Sequence, residues 1–196
     1  MISNNIVIID YGAGNVQSVK YALKRLGVEA VLSRNTEIIT KADKVIFPGV
    51  GQAQSAMQQI KQAGLEKVIP ALKQPVLGIC LGMQLMCRYS EEGDTDCLDI
   101  FPLEVKKFKH DLKIPHMGWN QLSTMDSPIF NELVENPYMY FVHSYFIEKS
   151  DYTIAGCDYK FSFSAALQKD NFYACQFHPE KSSKDGQQIL KNFLEL

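Results

Sequence analysis

Short apolar runs alternate with amphipathic segments along the first half of the chain. The runs are rich in Val and Ile, which is typical of strands that are buried on both faces of a sheet. The segments between them repeat apolar residues at the helical period of about 3.6. The pattern predicts strands over residues 5–9, 28–32 and 44–47, a strand leading to Cys80, and helices over residues 16–26, up to residue 60 and around residues 65–72.

The second half is richer in strand-like runs, which are separated by polar turns. It predicts strands over residues 139–146, 153–157, 163–168 and 172–177, and a closing helix over residues 185–196. Strands that alternate with helices form βαβ units with parallel strands and right-handed crossovers. We therefore expect an α/β fold: one open, twisted, mostly parallel sheet flanked by helices. Residues 1–196 are expected to form a single domain, with extra antiparallel strands in the C-terminal half.

Three loops follow predicted strands of this sheet. They begin at Asp10, at the Pro48-Gly49-Val50-Gly51 segment and at Cys80. Ligands of open α/β sheets bind outside the carboxyl ends of the strands. The three loops are therefore expected to meet at one active site.

The segment Gly78-Ile79-Cys80-Leu81-Gly82 stands between a predicted strand and a predicted helix. A Gly-x-Cys-x-Gly sequence in that position is the thiol counterpart of a nucleophile elbow, in which the central residue adopts a strained backbone conformation. Such a turn places the sulfur of Cys80 at a helix N-terminus, where the helix dipole and free N–H groups favour the thiolate. The segment predicts a nucleophile and half of an oxyanion hole.

Four histidines are candidates for the base that a nucleophilic cysteine requires. His178 has the best context, because it follows an apolar run and precedes Pro179 and Glu180. If the backbone stays extended through Pro179, His178 and Glu180 lie on the same side, and the carboxylate orients the imidazole. Of the other three, His143 is expected to be a packed histidine that lines the site, His116 to belong to a Gly-containing loop, and His110 to be solvated.

Composition excludes several classes of function. A net charge of -2 provides no basic face for nucleic acid. No apolar run approaches the ~18 residues of a membrane span. Five cysteines, an odd number without a CxxC pair, indicate neither a disulfide framework nor a zinc site. We expect a protein of the reducing cytoplasm that binds no metal.

Three motifs resemble those of the triad, or class I, glutamine amidotransferases: the Gly-x-Cys-x-Gly elbow followed by Gln84, the Pro-Gly-Val-Gly segment and the late His-Pro-Glu. Longer stretches are similar to the glutaminase subunits of imidazole glycerol phosphate synthases, from histidine biosynthesis. These stretches are residues 10–15 (DYGAGN), 78–84 (GICLGMQ), 115–120 (PHMGWN), 140–145 (YFVHSY) and 176–182 (QFHPEKS). The resemblance extends from residue 6 to the C-terminus and implies a flavodoxin-like fold.

The resemblance also implies a role for each matched residue. Cys80 is the nucleophile, His178 the base and later the acid, and Glu180 the orienting carboxylate. Glutamine is hydrolysed through a γ-glutamyl thioester, without metal or organic cofactor. The expected oxyanion donors are the N–H of Leu81 and an N–H among Gly49, Val50 and Gly51, and the expected glutamine-binding residues are Gln84, Ser144, Tyr145 and His143.

Free ammonia is protonated in water at neutral pH, so a glutaminase without an acceptor domain requires a partner. The resemblance implies a heterodimer with a (βα)8-barrel cyclase, which receives ammonia through its interior. That cyclase makes imidazole glycerol phosphate and aminoimidazole carboxamide ribonucleotide. Trp119 is expected in a loop, where the sequence alone is compatible with either an interface anchor or a core-edge tryptophan, and the resemblance favours the interface anchor. Further interface candidates are Asn120, Tyr11, Asn15 and Lys181.

Three alternatives stay open on the residues alone. A paralogous glutaminase would feed ammonia to another acceptor, for example in the amidation of a surface sugar. A Cys elbow on this fold also serves peptidases and γ-glutamyl hydrolases. The glycines after the first strand are also compatible with a noncatalytic nucleotide-binding module, although residues 12–17 lack the third glycine of GxGxxG.

Overall fold

Strands and helices alternate along the first half of the chain, as the apolar pattern predicts. The structure, a computed structural model, describes residues 5–12 and 15–196. Its strands are β1 (Ile6–Ile9), β2 (Val31–Ser33), β3 (Lys44–Gly49), β4 (Val76–Cys80), β5 (Cys87–Ser90), β6 (Thr95–Asp96), β7 (Phe101–Lys107), β8 (His116–Gln121), β9 (Tyr138–His143), β10 (Tyr145–Ile147), β11 (Thr153–Tyr159), β12 (Phe161–Lys169) and β13 (Phe172–Cys175). Its helices are α1 (Val16–Arg25), α2 (Thr36–Thr40), α3 (Ala53–Gln62), α4 (Val68–Ala71), α5 (Leu81–Leu85) and α6 (Ser183–Glu195), with 3₁₀ helices at Pro128–Phe130 and Pro179–Lys181.

A seven-stranded sheet forms the centre, in the order β11-β12-β13-β4-β3-β1-β2. The strands from β13 to β2 run parallel to one another, whereas β12 and β11 pair antiparallel at one edge. This is the expected α/β fold with a mostly parallel sheet and added antiparallel strands. Because β3 and β13 flank β4, the residues at the ends of these three strands are brought together.

Alternate residues of the central strands pack into two apolar layers on opposite faces of the sheet. In β1, Ile6 and Ile8 belong to the layer that is covered by α1 and α6. Val7 and Ile9 belong to the opposite layer, which includes residues of α3. The side chains of a strand alternate between faces, so strands that are covered on both sides must be apolar throughout. Among the described helices, none is long and apolar enough to cross a membrane.

Two smaller sheets lie beside the central one. One has four strands in the order β10-β7-β5-β6, and the other is a two-stranded antiparallel ribbon of β8 and β9. The ribbon is joined to the end of the central sheet, since the N–H of His178 donates to the carbonyl of Tyr140 at 2.9 Å. The smaller sheets thus add walls around the ends of β4 and β13.

Several local predictions differ from the structure. The segment around Trp119, expected as a loop, is strand β8, because its pairing with β9 outweighs the loop tendency of Gly118. The helix predicted around residues 65–72 is shorter in the structure, where it is α4, and helix α2 was not predicted. The helix after Cys80 has only five residues, so its dipole is weaker than expected. Ala13 and Gly14 of the Gly-rich segment lie outside the described residues.

Candidate active site

The site forms where three neighbouring parallel strands end. Gly49 at the end of β3 pairs with Cys80 at the end of β4. On the other side of β4, Cys175 pairs with Ile79, and the chain beyond β13 continues to His178. The three expected components of the chemistry (oxyanion loop, thiol and base) therefore leave adjacent strands at one edge of the sheet.

Cys80 has the backbone conformation of a nucleophile elbow, as predicted. Its φ of 55° and ψ of -111° lie outside the conformations that residues with a side chain usually adopt. Glycines flank it because there is no space for side chains. A Cβ on Gly82 would collide with the carbonyl oxygen of Phe47, and one on Gly78 would approach the sulfur of Met86 to 2.8 Å. The Gly-x-Cys-x-Gly pattern is thus explained by close packing on both sides of the turn.

His178 and Glu180 form a buried pair. Nδ1 of His178 lies 2.8 Å from Oε1 of Glu180, and the two residues are 2% and 7% exposed. The prediction that they lie together is confirmed, but the expected extended backbone is wrong. Pro179 begins a 3₁₀ helix, for which its fixed φ is suited, and the turn rather than strand alternation brings Glu180 beneath the imidazole.

The surroundings of His178 favour the imidazolium. Burial by itself lowers the pKa of His178, but the nearby Cys80 and the hydrogen-bonded carboxylate of Glu180 outweigh burial and raise it to about 9. Nε2 of His178 is buried and has no hydrogen-bond partner among the described residues. A loose contact between base and nucleophile is usual before substrate binds. The surroundings of His178 therefore stabilise its imidazolium form.

A cavity of about 330 Å³ opens beside the thiol. Most of the residues that were predicted for the site line it: Cys80, His178, Leu81, Val50, Gly51, Gln84, His143, Ser144 and Tyr145. Glu180 lies behind His178, and Gly49 is not part of the wall. Gly49 instead packs against the elbow, since a Cβ there would come within 2.6 Å of the Gly82 nitrogen.

Gln84 is buried rather than exposed on a helix surface. Its Nε2 donates to the carbonyl of Tyr145 at 3.3 Å and to Oε1 of Gln176 at 2.8 Å. Gln176, to which no role was assigned from the sequence, donates in turn to the sulfur of Cys80 at 3.8 Å. The sequence carries a signal for it, because Gln176 stands two residues before His178 and therefore shares its side of the chain.

Glu92 also lines the cavity and was missed. Its Oε2 accepts a hydrogen bond from the N–H of Ala53 at 2.8 Å, at the start of α3. Burial raises the pKa of Glu92, and the bond from Ala53 offsets part of that rise. In the sequence, Glu92 lies in an acidic turn that is typical of solvated loops, so no local pattern marks it.

One face of the β8–β9 ribbon is exposed and apolar. Trp119 is 52% exposed and faces Tyr140 across the ribbon at a ring distance of 6.1 Å. The ammonium of Lys181 lies 6.0 Å from the centre of the Tyr140 ring. Met117 and Tyr138 extend the same face, each 54% exposed. We name this surface, formed by Met117, Trp119, Tyr138, Tyr140 and Lys181, the ribbon face.

Two residues expected at an interface point elsewhere. Tyr11 is 3% exposed, and its hydroxyl donates to the carbonyl of Pro48 at 3.1 Å, so it supports the end of β3 from inside. Asn120 belongs to the inner side of the ribbon, because strand alternation turns it away from the face of Trp119. Its amide donates to the carbonyl of Asp158 at 2.9 Å. Asn15 is half-buried before α1 and makes no side-chain capping bond.

The remaining cysteines are unsuited to nucleophilic chemistry. Burial raises the pKa of Cys87 and Cys175 well above the ordinary value, and raises the pKa of Cys97 and Cys157 to about 12. All five cysteines are free thiols. Within residues 5–12 and 15–196, no group of three or more His, Cys, Asp or Glu side chains is arranged to hold a metal ion.

Comparison with known proteins identifies relatives along almost the whole chain. The family model for glutamine amidotransferase class-I matches residues 7–196. The imidazole glycerol phosphate synthase subunit HisH of Bacteroides fragilis is 57% identical over 194 residues, which is 97% of this chain and 99% of the relative. Proteins of the same name from Bacteroides thetaiotaomicron and Pasteurella multocida are 56% and 49% identical, each over 97% of this chain and over 99% and 98% of the relative.

Solved structures share the fold at low sequence identity. A putative GMP synthase subunit from Thermoplasma acidophilum superimposes with a TM-score of 0.76 at 22% identity, covering 98% of this chain and 92% of that one. A structure titled glutamine amidotransferase gives 0.75 at 18% identity, covering 96% and 97%. At these identities the likeness supports the fold alone.

Replacement of Glu180 by Gln should lower the pKa of His178 from about 9 to about 8 or below, because it removes a charge and leaves the burial unchanged. The measurement is an NMR titration of the His178 imidazole in both proteins. Glu37→Gln, at an exposed ion pair with Lys41, is the matched control and should leave the value unchanged. A His178 pKa that stays near 9 without Glu180 would contradict the assigned cause.

Proposed function

Because the chain belongs to the class-I glutamine amidotransferase family, we propose that it releases ammonia from glutamine at Cys80 and passes it to a cyclase subunit. Its function is that of the glutamine amidotransferase subunit of imidazole glycerol phosphate synthase, in histidine biosynthesis. The observation that carries the proposed chemistry is the buried His178–Glu180 pair, of which His178 borders a cavity together with the strained Cys80.

The reaction begins with the thiolate of Cys80 and the imidazolium of His178. The sulfur attacks the amide carbon of the glutamine side chain and forms a tetrahedral oxyanion. As the C–N bond breaks, His178 gives its Nε2 proton to the nitrogen, so that ammonia leaves and a γ-glutamyl thioester remains. Glu180, hydrogen-bonded to Nδ1, keeps the imidazole oriented through this transfer.

Hydrolysis of the thioester reverses the roles. Neutral His178 takes a proton from a water molecule, and the resulting hydroxide attacks the thioester carbonyl. The C–S bond then breaks, which releases glutamate and restores the thiolate–imidazolium pair. Every proton that the cycle needs is supplied by water and by His178, so this chain requires no cofactor for its half of the reaction.

The oxyanion is assigned to backbone donors that directly follow two neighbouring strands, β3 and β4. The N–H of Leu81, directly after the nucleophile, is one, and an N–H of Val50 or Gly51 is the other. Val50 and Gly51 border the cavity, and Gly51 has a φ of 99°, which only glycine adopts readily. A single donor of this kind contributes about 3 to 4 kcal/mol in comparable sites. The position of this loop therefore controls the rate.

The cavity walls fit the amino-acid end of glutamine. Gln84, His143, Ser144 and Tyr145 line the cavity together with Cys80. Glu92 adds a carboxylate to the lining, which we assign to the α-ammonium group of the substrate. Polar groups that hold the amino-acid end of glutamine would leave its side-chain amide to face Cys80.

Substitution of Cys80 or His178 by Ala should lower glutamine-dependent turnover of the complex at least about 10³-fold. Turnover driven by added ammonium salts should change less than about twofold, because cyclisation belongs to the partner. The measurement is the rate of imidazole glycerol phosphate formation with each nitrogen source. Cys97→Ala, a half-buried cysteine outside the cavity, is the control. Equal loss of both activities in an intact complex would refute this division of labour.

We assign the cyclase, a (βα)8 barrel, to the ribbon face. The face combines aromatic side chains with one cation and borders the cavity through Val142 on β9. A partner that covers it would close the site from water at the place where ammonia leaves. Asn15 and Lys181 remain candidates for this contact, whereas Tyr11 and Asn120 act from inside the chain.

Trp119→Ala should weaken binding of the cyclase about 30-fold, equivalent to about 2 kcal/mol, because an exposed tryptophan at the centre of an aromatic face is a typical interface anchor. The affinity is measured by calorimetric titration. Ile38→Ala removes another exposed apolar side chain, 41% exposed, from α2 and should leave the affinity unchanged. Equal affinities of the Trp119 variant and the unchanged chain would rule out the ribbon face as the partner's site.

The alternatives are weakened by family membership. The relatives' names favour histidine biosynthesis over the amidation of a surface sugar. The match to the glutamine amidotransferase class-I model favours a glutaminase over a peptidase, a γ-glutamyl hydrolase or a nucleotide-binding module. The free thiols are compatible with the proposed reducing cytoplasm.

A further inference from the structure

Two buried histidines have no part in the proton transfers described above. His116 on β8 and His143 on β9 face each other across the ribbon and are 4% and 5% exposed. Both lie on its inner side, and only His143 borders the cavity. The ring of His116 stacks on those of Phe141 and Tyr159, at centroid distances of 4.9 and 4.0 Å.

The two imidazoles form a continuous chain of hydrogen bonds. Nδ1 of His143 lies 2.7 Å from the carbonyl oxygen of Tyr145. Nε2 of His143 lies 2.9 Å from Nδ1 of His116, and Nε2 of His116 lies 3.2 Å from Nδ2 of Asn120. Every ring nitrogen of the pair therefore has a partner.

The direction in which hydrogen bonds are donated along this row is determined by the groups at its two ends. A carbonyl oxygen only accepts hydrogen bonds, so Nδ1 of His143 must carry a proton. At the other end, the amide of Asn120 has one orientation, because its nitrogen contacts the carbonyl of Asp158 at 2.9 Å and its oxygen accepts the N–H of Gln121 at 2.8 Å. Nδ2 of Asn120 therefore donates to His116.

Between these ends, two neutral rings can arrange their protons in only one way. A neutral imidazole has one donor and one acceptor, so both histidines must carry the proton on Nδ1. Burial is the main cause that lowers the pKa of His116 to about 4, with a smaller effect from the charge of His110. Burial also lowers the pKa of His143 to about 3: the hydrogen bond with the Tyr145 carbonyl opposes this shift, and the charges of His116 and His178 add to it. Both rings are thus neutral at physiological pH.

We propose that His116 and His143 are positioning residues, which hold the Ser144–Tyr145 wall of the glutamine cavity through a one-directional chain of Nδ1–H tautomers. The proposal rests on the function proposed above. The carbonyl of Tyr145 receives bonds from His143 on one side and from Gln84 on the other, so the wall is held between the ribbon and the elbow helix. A fully satisfied buried network of this kind specifies one arrangement of the groups it joins.

The tautomers are tested directly by nitrogen-15 NMR of the histidine side chains in the full-length chain. Both His116 and His143 should be neutral, with the proton on Nδ1, throughout the range from about pH 6 to 8. A proton on Nε2 of either ring, or an imidazolium in that range, would overturn the proposal. This readout does not depend on turnover, so it separates the proposal from the glutaminase assignment.

The positioning role is tested by glutamine kinetics of the complex with its cyclase. His116→Phe keeps a ring for stacking and removes the donor to His143, so the KM for glutamine should rise about five- to thirty-fold, with kcat changed less than about twofold. His116→Asn places an amide nitrogen where Nδ1 stood, and its KM should stay within about threefold of the unchanged chain. An unchanged KM in the Phe variant, a loss confined to kcat, or equal KM increases in both variants would overturn the role. If the Phe variant does not fold, the NMR measurement of the two tautomers in the unchanged chain still tests the proposal.

Discussion

The candidate site depends above all on the close approach of two strand ends. Gly49 on β3 pairs with Cys80, and Gly82 packs against the carbonyl of Phe47, so neither glycine position has space for a side chain. This packing holds Cys80 at positive φ, a conformation that costs about 1 to 3 kcal/mol and persists only where the surroundings enforce it. The burial of both strands on both faces supplies that enforcement.

The electrostatics of the site follow from the same geometry. The segment after β13 places His178 beside the thiol of Cys80. The 3₁₀ turn at Pro179 places Glu180 against the imidazole of His178. The folded-state pKa of His178, about 9, exceeds its ordinary value of 6.5. The imidazolium therefore stabilises the fold fully below about pH 6.5, and this contribution is lost as the pH rises through about 9. The proposed mechanism uses this imidazolium, at neutral pH, as the acid that releases ammonia.

The sequence predicts the part of this architecture that arises from local pattern. Apolar periodicity indicates the parallel strands, and the Gly-x-Cys-x-Gly and His-Pro-Glu segments indicate the thiol and its partners. Long-range pairing accounts for what was missed. The local sequence of β8 is typical of a loop, and the segment is a strand only because it pairs with β9. The local sequence around Glu92 is typical of a solvated turn, and only the folded structure shows that Glu92 lines the cavity. The expectation that Tyr11 lies at an interface is wrong. Its burial depends on contacts with residues distant in the sequence, such as Pro48, and no local pattern reveals them.

The central claim is that Cys80 alone forms the covalent intermediate. The most direct measurement is mass-spectrometric peptide mapping after reaction of the assembled complex with a glutamine analogue that carries an electrophile at the γ position. The account predicts one label per chain, on Cys80, and none on the four cysteines whose pKa burial raises. A label on Cys87 or Cys175, or no labelling of Cys80 in an active complex, would contradict it.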